Sequence, residues 1–212
     1  VNGLKNLRIN RKKFIYLISP TIINKSFYQD LTEVLQQKKV GFFQLRLKKE
    51  PFKKKLIIGR KIKKICKKFN VKFLINDDVF VAKKLNADGC HLGQKDMDII
   101  KARKLIGNKI IGVTCHNSVK LSKIAVKNKA DYIALGAFNN SKTKKIKHRA
   151  SVNLLRKVKK ITKTPVVAIG GINSYNYKKL LLNKANFLAI SGYIWKNKKL
   201  KPLDAIKKLI WK

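Results

Sequence analysis

A chain of 212 residues with 45% apolar side chains can bury one sizeable core, while 52 Lys+Arg against 10 Asp+Glu leave a formal net charge of +42. The longest apolar runs, such as 109–113 and 166–172, are too short to cross a bilayer, residues 1–20 lack the features of an export signal, and three cysteines without a CxxC spacing do not make a disulfide scaffold. The expectation is therefore a cytoplasmic protein with no membrane partner, in which Cys66, Cys90 and Cys115 are small core residues.

In chain order, residues 1–13 read as an N-terminal extension of a single domain spanning 1–212, and FIYLI (14–18) is the first strand. A helical pattern, YQDLTEVLQQKK (28–39), leads to FFQLR (42–46); the helix of 51–69 leads to KFLIN (72–76), and VAKKLN (81–86) to GCHL (89–92). DIIKARKLIG (98–107) precedes IIGVT (110–114), SVKLSKIAVKNK (118–129) precedes YIAL (132–135), NLLRKVKKITK (153–163) precedes VVAIG (166–170), and YNYKKLLLNK (175–184) precedes FLAI (187–190). Eight apolar strands alternating with helices imply right-handed crossovers and a parallel sheet covered on both faces, so the expected fold is an α/β (β/α)8 TIM barrel. A doubly wound sheet is disfavoured because SPTIIN, rather than a GxGxxG turn, follows the first strand.

The lysines stand between apolar positions in nearly every helical segment, the pattern of a solvated helix face, and no RNP-like aromatic motif lies among them. The charge thus predicts weak, salt-sensitive nucleic-acid binding and no specific nucleic-acid partner. The scarce acids are more informative: five of the ten, Asp77, Asp78, Asp88, Asp96 and Asp98, fall within one short window. NADGCHLG (86–93), KADYIALG (129–136) and KANFLAISG (184–192) repeat a helix-to-strand joint, which makes Asp88 and Asp131 structural. Of the other acids, Asp78 is read as a helix cap, while Asp98 is left unexplained, a second cap being the open alternative.

Barrel chemistry sits in the loops after the strands, and polar or glycine groups follow seven consecutive strands here. Gln44, Arg46 and Lys48 alternate and so share one side of the second strand's end; Asn76 and Asp77 end the third, Asp96 follows the fourth, and Thr114 and His116 end the fifth. The sixth is followed by NNSKTKK (139–145), the seventh by Gly170-Gly171 and the eighth by Ser191-Gly192. Two separated carboxylates, Asp77 and Asp96, suit Mg²⁺ held together with substrate phosphate oxygens, with Arg46, Lys48 and Lys144 as fixed positive charge. The glycine and serine turns after strands seven and eight suit a second phosphate. His91, inside a strand, is expected to be a satisfied interior residue; the pairs Cys90-His91 and Cys115-His116 make a poor zinc set because strand neighbours point to opposite faces.

QLRLK, FLINDDVFVAKKLNADGCHLGQKDMD, IIGVTCH, ADYIALGAF with SKTK, PVVAIGGI and FLAISG resemble, in order and spacing over residues 14–195, the motifs of the thiamine-phosphate synthase family, whose barrel relatives include the thiazole tautomerases. The resemblance implies a transferase of thiamine biosynthesis that joins a hydroxymethylpyrimidine pyrophosphate to a thiazole phosphate and releases pyrophosphate. It implies that Gln44, Arg46, Lys48 and Asn76 hold the pyrimidine pyrophosphate, that Asp77 and Asp96 bind Mg²⁺, and that Thr114 sits beside the reacting centre. Ser141, Thr143 and Lys144 would line the site, with Lys144 also on pyrophosphate, while Gly171, Ile190 and Ser191 would hold the thiazole phosphate. Leu47 departs from the family's acid at that place, and Asn140-Ser141 from its Pro-Thr. The alternatives are a tautomerase using His116 as acid and base, and a degenerate phosphate-ligand-binding barrel.

Overall fold

The computed structural model describes residues 13–140 and 147–210. Eight strands, β1 (Ile15–Ile18), β2 (Val40–Leu45), β3 (Lys72–Asn76), β4 (Gly89–Leu92), β5 (Ile110–His116), β6 (Tyr132–Gly136), β7 (Val166–Ile169) and β8 (Phe187–Ile190), pair in parallel in sequence order and close through β1 and β8. The helices between them are α1 (Phe27–Gln36), α2 (Phe52–Lys68), α3 (Val79–Lys84), α4 (Ile99–Ile106), α5 (Val119–Lys127), α6 (Val152–Ile161) and α7 (Tyr177–Leu182), followed after β8 by α8 (Gly192–Trp195) and α9 (Pro202–Lys207). The last two are absent from the helices read in the sequence. The expected extension lies almost wholly outside the described residues. None of the described helices is long and apolar enough to cross a membrane.

Strand alternation divides the apolar residues into two cores. One set, including Ile15, Leu17, Phe43, Phe73, Ile75, Ile111 and Ile133, packs outward against the helices; the other, with Tyr16, Phe42, Leu74, Ile110, Tyr132, Val167 and Phe187, fills the barrel. The three cysteines are buried and reduced. Gly112 is small for a specific reason: a Cβ there would lie 1.8 Å from Cζ of Tyr132, whose ring occupies the barrel interior beside it.

The repeated joint has a common geometry. Asp88, Asp131 and Asn186 each accept, through the side chain, the backbone N–H of a preceding strand residue, Phe73, Ile111 and Val166 respectively, at 2.8–2.9 Å. Each also donates its own N–H to the carbonyl of that same residue. The residue two places earlier, Asn86, Lys129 or Lys184, has a positive φ that ends the helix. These side chains thus work at the strand-entry end, as the repeat indicates.

Candidate active site at the barrel mouth

Among the described residues other than glycine, seven have positive φ: five follow helices, and the other two, Asp77 and His116, stand at the C-terminal ends of β3 and β5. Such conformations cost free energy and gather at functional sites, so these two mark the mouth from the backbone alone.

At the end of β2, Gln44 is buried, and the next two positions on its side, Arg46 and Lys48, are progressively more open. Ser19 fixes this segment: its N–H donates to the Gln44 carbonyl at 2.9 Å and its hydroxyl accepts the Arg46 N–H at 2.9 Å. Leu47 turns the other way and is buried in the outer core. An apolar residue is at home there, and its neighbours stay aligned without an acid between them.

Beyond β3, the Asp77 N–H donates to the His91 carbonyl at 2.8 Å, extending the ladder one residue, and φ of 64° then turns the chain. The carboxylate reaches Lys48 Nζ at 2.9 Å and hydrogen-bonds with the carboxyl of Asp96. Burial pushes Asp77 up, but hydrogen bonds with Lys48 and Asp96 outweigh it and leave Asp77 below the usual carboxylate range. Asp96 is pushed up, first by burial and then by facing Asp77, against the Gly93 N–H that donates to it at 2.6 Å. Two acids on the loops after neighbouring strands are therefore brought face to face. Among the described residues no group of three or more His, Cys, Asp and Glu forms a metal cage; a carboxylate pair open to further oxygen donors instead fits Mg²⁺, which keeps waters or substrate phosphates in its shell. Asp78 is separate: it caps α3 through the Val81 N–H and pairs with Lys55 at 3.0 Å. Asp98 likewise caps α4.

Thr114, on β5, meets His91 on the neighbouring β4: its Oγ1 lies 2.7 Å from His91 Nε2, while His91 Nδ1 lies 2.8 Å from the Tyr132 hydroxyl. Enclosure pushes the His91 imidazole down to about 4, so it is neutral near pH 7 and satisfied at both nitrogens. The His116 ring lies against that of His148, centroids 4.4 Å apart and planes tilted by 35°. Gln94, in the loop after β4, donates to the Thr114 carbonyl and ties that loop to β5. Neither Gln94 nor Ser19 stands out in the sequence, since both act through backbone contacts. Tyr16 and Tyr132 do leave a signal, because a tyrosine on an inward strand position needs a partner for its hydroxyl. Ser141, Thr143 and Lys144 lie outside the described residues; just before them, Asn140 accepts a hydrogen bond from Arg149 at 2.7 Å.

After β7, Gly170 and Gly171 have φ of 100° and 59°, and a Cβ on Gly171 would lie 2.1 Å from the Asn140 carbonyl oxygen. The loop after β6 therefore rests on the glycine turn, which only glycine permits. Ser191 immediately precedes α8, and its hydroxyl donates to the Ser19 carbonyl at 3.2 Å. The Ile190 side chain is buried in the outer core, leaving its main chain for any ligand contact.

The sequence profile of thiamine monophosphate synthase matches residues 15–194, from the first barrel strand into the short helix after the last. The chain belongs to that family. Thiamine-phosphate synthase of Pelagibacter ubique strain HTCC1062 is 68% identical over 207 residues, 97% of this chain and 100% of that protein. The same enzyme of Erythrobacter litoralis strain HTCC2594 is 38% identical over 186 residues, covering 85% and 87% of the two chains. Among solved structures, thiamine phosphate pyrophosphorylase from Pyrococcus furiosus superposes with a TM-score of 0.82 at 28% identity, covering 93% of this chain and 94% of that one. An orotidine 5'-phosphate decarboxylase from Pyrococcus horikoshii, TM-score 0.63 at 10% identity, shares the barrel alone. Membership of the thiamine monophosphate synthase family makes this chain an enzyme, a transferase of the thiamine-phosphate synthase type.

Proposed function

We propose that the mouth binds 4-amino-2-methyl-5-hydroxymethylpyrimidine pyrophosphate over β2 to β5 and thiazole phosphate over β7 and β8, and joins them into thiamine phosphate with release of pyrophosphate. The observation that carries this reading is the Asp77–Asp96 carboxylate pair with Lys48 at 2.9 Å and Arg46 on the same strand end. A site for thiazole isomerisation alone has no diphosphate to neutralise and no need of that pair.

Gln44 and Asn76 orient the pyrimidine, and Arg46 and Lys48 hold its pyrophosphate, joined by Ser141, Thr143 and Lys144 from the loop after β6. Asp77 and Asp96 are the residues that would hold Mg²⁺; bound there, the ion supplies further positive charge to the departing oxygens. The exocyclic C–O bond can ionise because the amino-substituted ring stabilises the cation left behind, so the protein's task is to stabilise the leaving charge and hold the thiazole nitrogen near the carbon. Thr114 stands beside that carbon, and no general base is required. Gly171, Ile190 and Ser191 hold the thiazole phosphate through main-chain and hydroxyl groups. Turns after β7 and β8 followed by the short α8 are the usual phosphate site of this fold. The reading takes 1–212 as one barrel domain working in the reducing cytoplasm, consistent with three buried thiols.

The test supplies purified protein and Mg²⁺ with both substrates together and each alone. Pyrophosphate release that requires both supports the proposal. Thiazole isomerisation without pyrophosphate release contradicts it in favour of the tautomerase, and neither reaction leaves only a ligand-binding barrel.

A further inference from the structure

The three repeated joints differ in one respect. At the first two, the side chain that accepts the strand N–H is a carboxylate that also neutralises a cation: Lys72 lies 3.3 Å from Asp88, and Arg103 2.7 Å from Asp131. At the third the same place holds an amide, Asn186, and the cation facing it, Lys159, lies 3.4 Å from its Oδ1. Lys159 is the counterpart of Arg103, since each stands in the last turn of the helix before one strand and reaches the side chain that enters the next. The charge that the other joints cancel is left standing here.

The surroundings add to it. A cavity of about 220 Å³ opens between the ends of α6 and α7, lined by Arg156, Lys159, Lys160, Leu182, Asn183 and Lys184. None of these is acidic, and no Asp or Glu occurs in the sequence between Asp131 and Asp204. Asn183 is buried; its Oδ1 accepts the Arg156 Nε–H at 2.7 Å, and its Nδ2 donates to the Lys179 carbonyl at 2.7 Å. The guanidinium is thus held by Nε, and its Nη groups have no hydrogen-bond partner among the described residues. The Lys159 ammonium donates to the Thr164 carbonyl at 3.3 Å and to Asn186 at 3.4 Å, and of its three hydrogens one remains to be given. Burial, and after it the charge of Lys184, hold Lys159 below its usual range. The negative ends of the helix dipoles offset part of this charge, but α4 ends in the same way before β5 and its joint still has Asp131.

We infer that this cleft, at the strand-entry end and opposite the mouth, is a second anion site that takes a phosphate group, with Arg156, Lys159 and Lys184 as its donors. The anion supplies the negative charge that Asp88 and Asp131 supply at the other joints. A guanidinium fixed at Nε presents its Nη groups to two oxygens at once, the geometry in which Arg recognises phosphate. The volume falls below the roughly 300–1,000 Å³ of pockets that enclose a whole organic ligand. The group is therefore free phosphate, or the phosphate end of a monoester whose remainder lies in solvent. Nothing in this inference depends on the reaction at the mouth, whose phosphate places lie at the other ends of β7 and β8.

The test follows the Nε–H resonance of Arg156 in the full chain labelled with ¹⁵N-arginine, assigned with Arg156→Lys. Inorganic phosphate and, separately, glycerol 3-phosphate are titrated at an ionic strength held constant with NaCl. At least one of the two should saturate the wild-type shift with a Kd of about 1 mM or tighter. Saturation by inorganic phosphate makes the free anion sufficient, and saturation by the ester alone assigns the monoester. Lys184→Asn, which suits the positive φ at that position, should weaken binding about tenfold or more, as loss of one charged hydrogen bond does. Asn186→Asp restores the carboxylate of the other joints and should weaken it comparably while every cation is kept. A shift that never saturates, or equal affinity in the wild type and both variants, would overturn the inference and leave only counterion accumulation on a basic surface. A response to single-stranded RNA but to neither small anion would overturn it as well. Should Lys184→Asn not fold, Asn186→Asp and the wild-type titration still decide. No substrate is present, so the result stands apart from that of the turnover test.

Discussion

Replacing Asp77 with asparagine separates the two roles a mouth acid can have. The side chain keeps its shape, and asparagine tolerates the left-handed conformation at φ 64°, so no backbone strain is added. What is lost is a charge. The Lys48 partner is 53% exposed and Asp77 26%, and an ion pair so placed contributes only about 0.5 kcal/mol. Against this, Asp96 no longer faces a like charge, which offsets part of the loss. The net change in stability should stay within about 1 kcal/mol, a Tm shift of no more than about 4 °C for a chain of this size. The reaction is affected far more, because Asp77 would hold the Mg²⁺ whose positive charge stabilises the departing pyrophosphate, and loss of such stabilisation costs about 10²–10³ in rate, or about 3–4 kcal/mol of barrier. Steady-state pyrophosphate release and a thermal melt on the same preparation measure both. A rate within about threefold of wild type would refute the catalytic assignment, and a Tm fall beyond about 10 °C would show that Asp77 holds the fold instead.

Asp131→Ala should give the opposite pattern: the Ile111 N–H and the Arg103 guanidinium, at 2.8 and 2.7 Å, lose their carboxylate, costing about 2 kcal/mol in denaturant unfolding while turnover per folded molecule is kept. A turnover loss with intact stability would contradict that reading. Gly112→Ala should destabilise by about 2 kcal/mol, because its Cβ would lie 1.8 Å from the Tyr132 ring; a neutral result would mean the ring is free to move aside. His91 titrates near 4 when folded and near 6.5 when unfolded, so in that interval the unfolded chain binds a proton that the folded chain does not, and stability falls as pH drops through it. Urea unfolding should show wild type losing about 2 kcal/mol more than His91→Asn between pH 7.5 and pH 5, and equal losses would contradict a neutral, enclosed imidazole.

The barrel was legible because its strands are short apolar runs spaced by amphipathic helices, and the repeated Ala-Asp and Ala-Asn joints exposed the strand-entry end. The same repeat separated Asp88 and Asp131 from Asp77 and Asp96. A local rule also sufficed for Asp78, since a cap is decided within three residues of the acid, and the same rule accounts for Asp98, which the sequence reading left unexplained. Less local features were hidden. Nothing in FLAI announces that Ile190 faces the outer core. The contact of Asn140 with Gly171 joins two loops about thirty residues apart, a matter of tertiary packing that no window of sequence contains. The Tyr16–Tyr132–His91–Thr114 line spans four strands, and only closure of the sheet brings its members within reach.

The central claim, that Asp77 and Asp96 face each other in order to hold Mg²⁺ against a diphosphate, is tested most directly by calorimetric titration of inorganic pyrophosphate into the wild-type protein with and without Mg²⁺. Binding should tighten by at least about tenfold when Mg²⁺ is present, equivalent to about 1.4 kcal/mol, and Asp96→Asn should abolish that gain. Pyrophosphate affinity that is equal with and without Mg²⁺ in the wild type would contradict it.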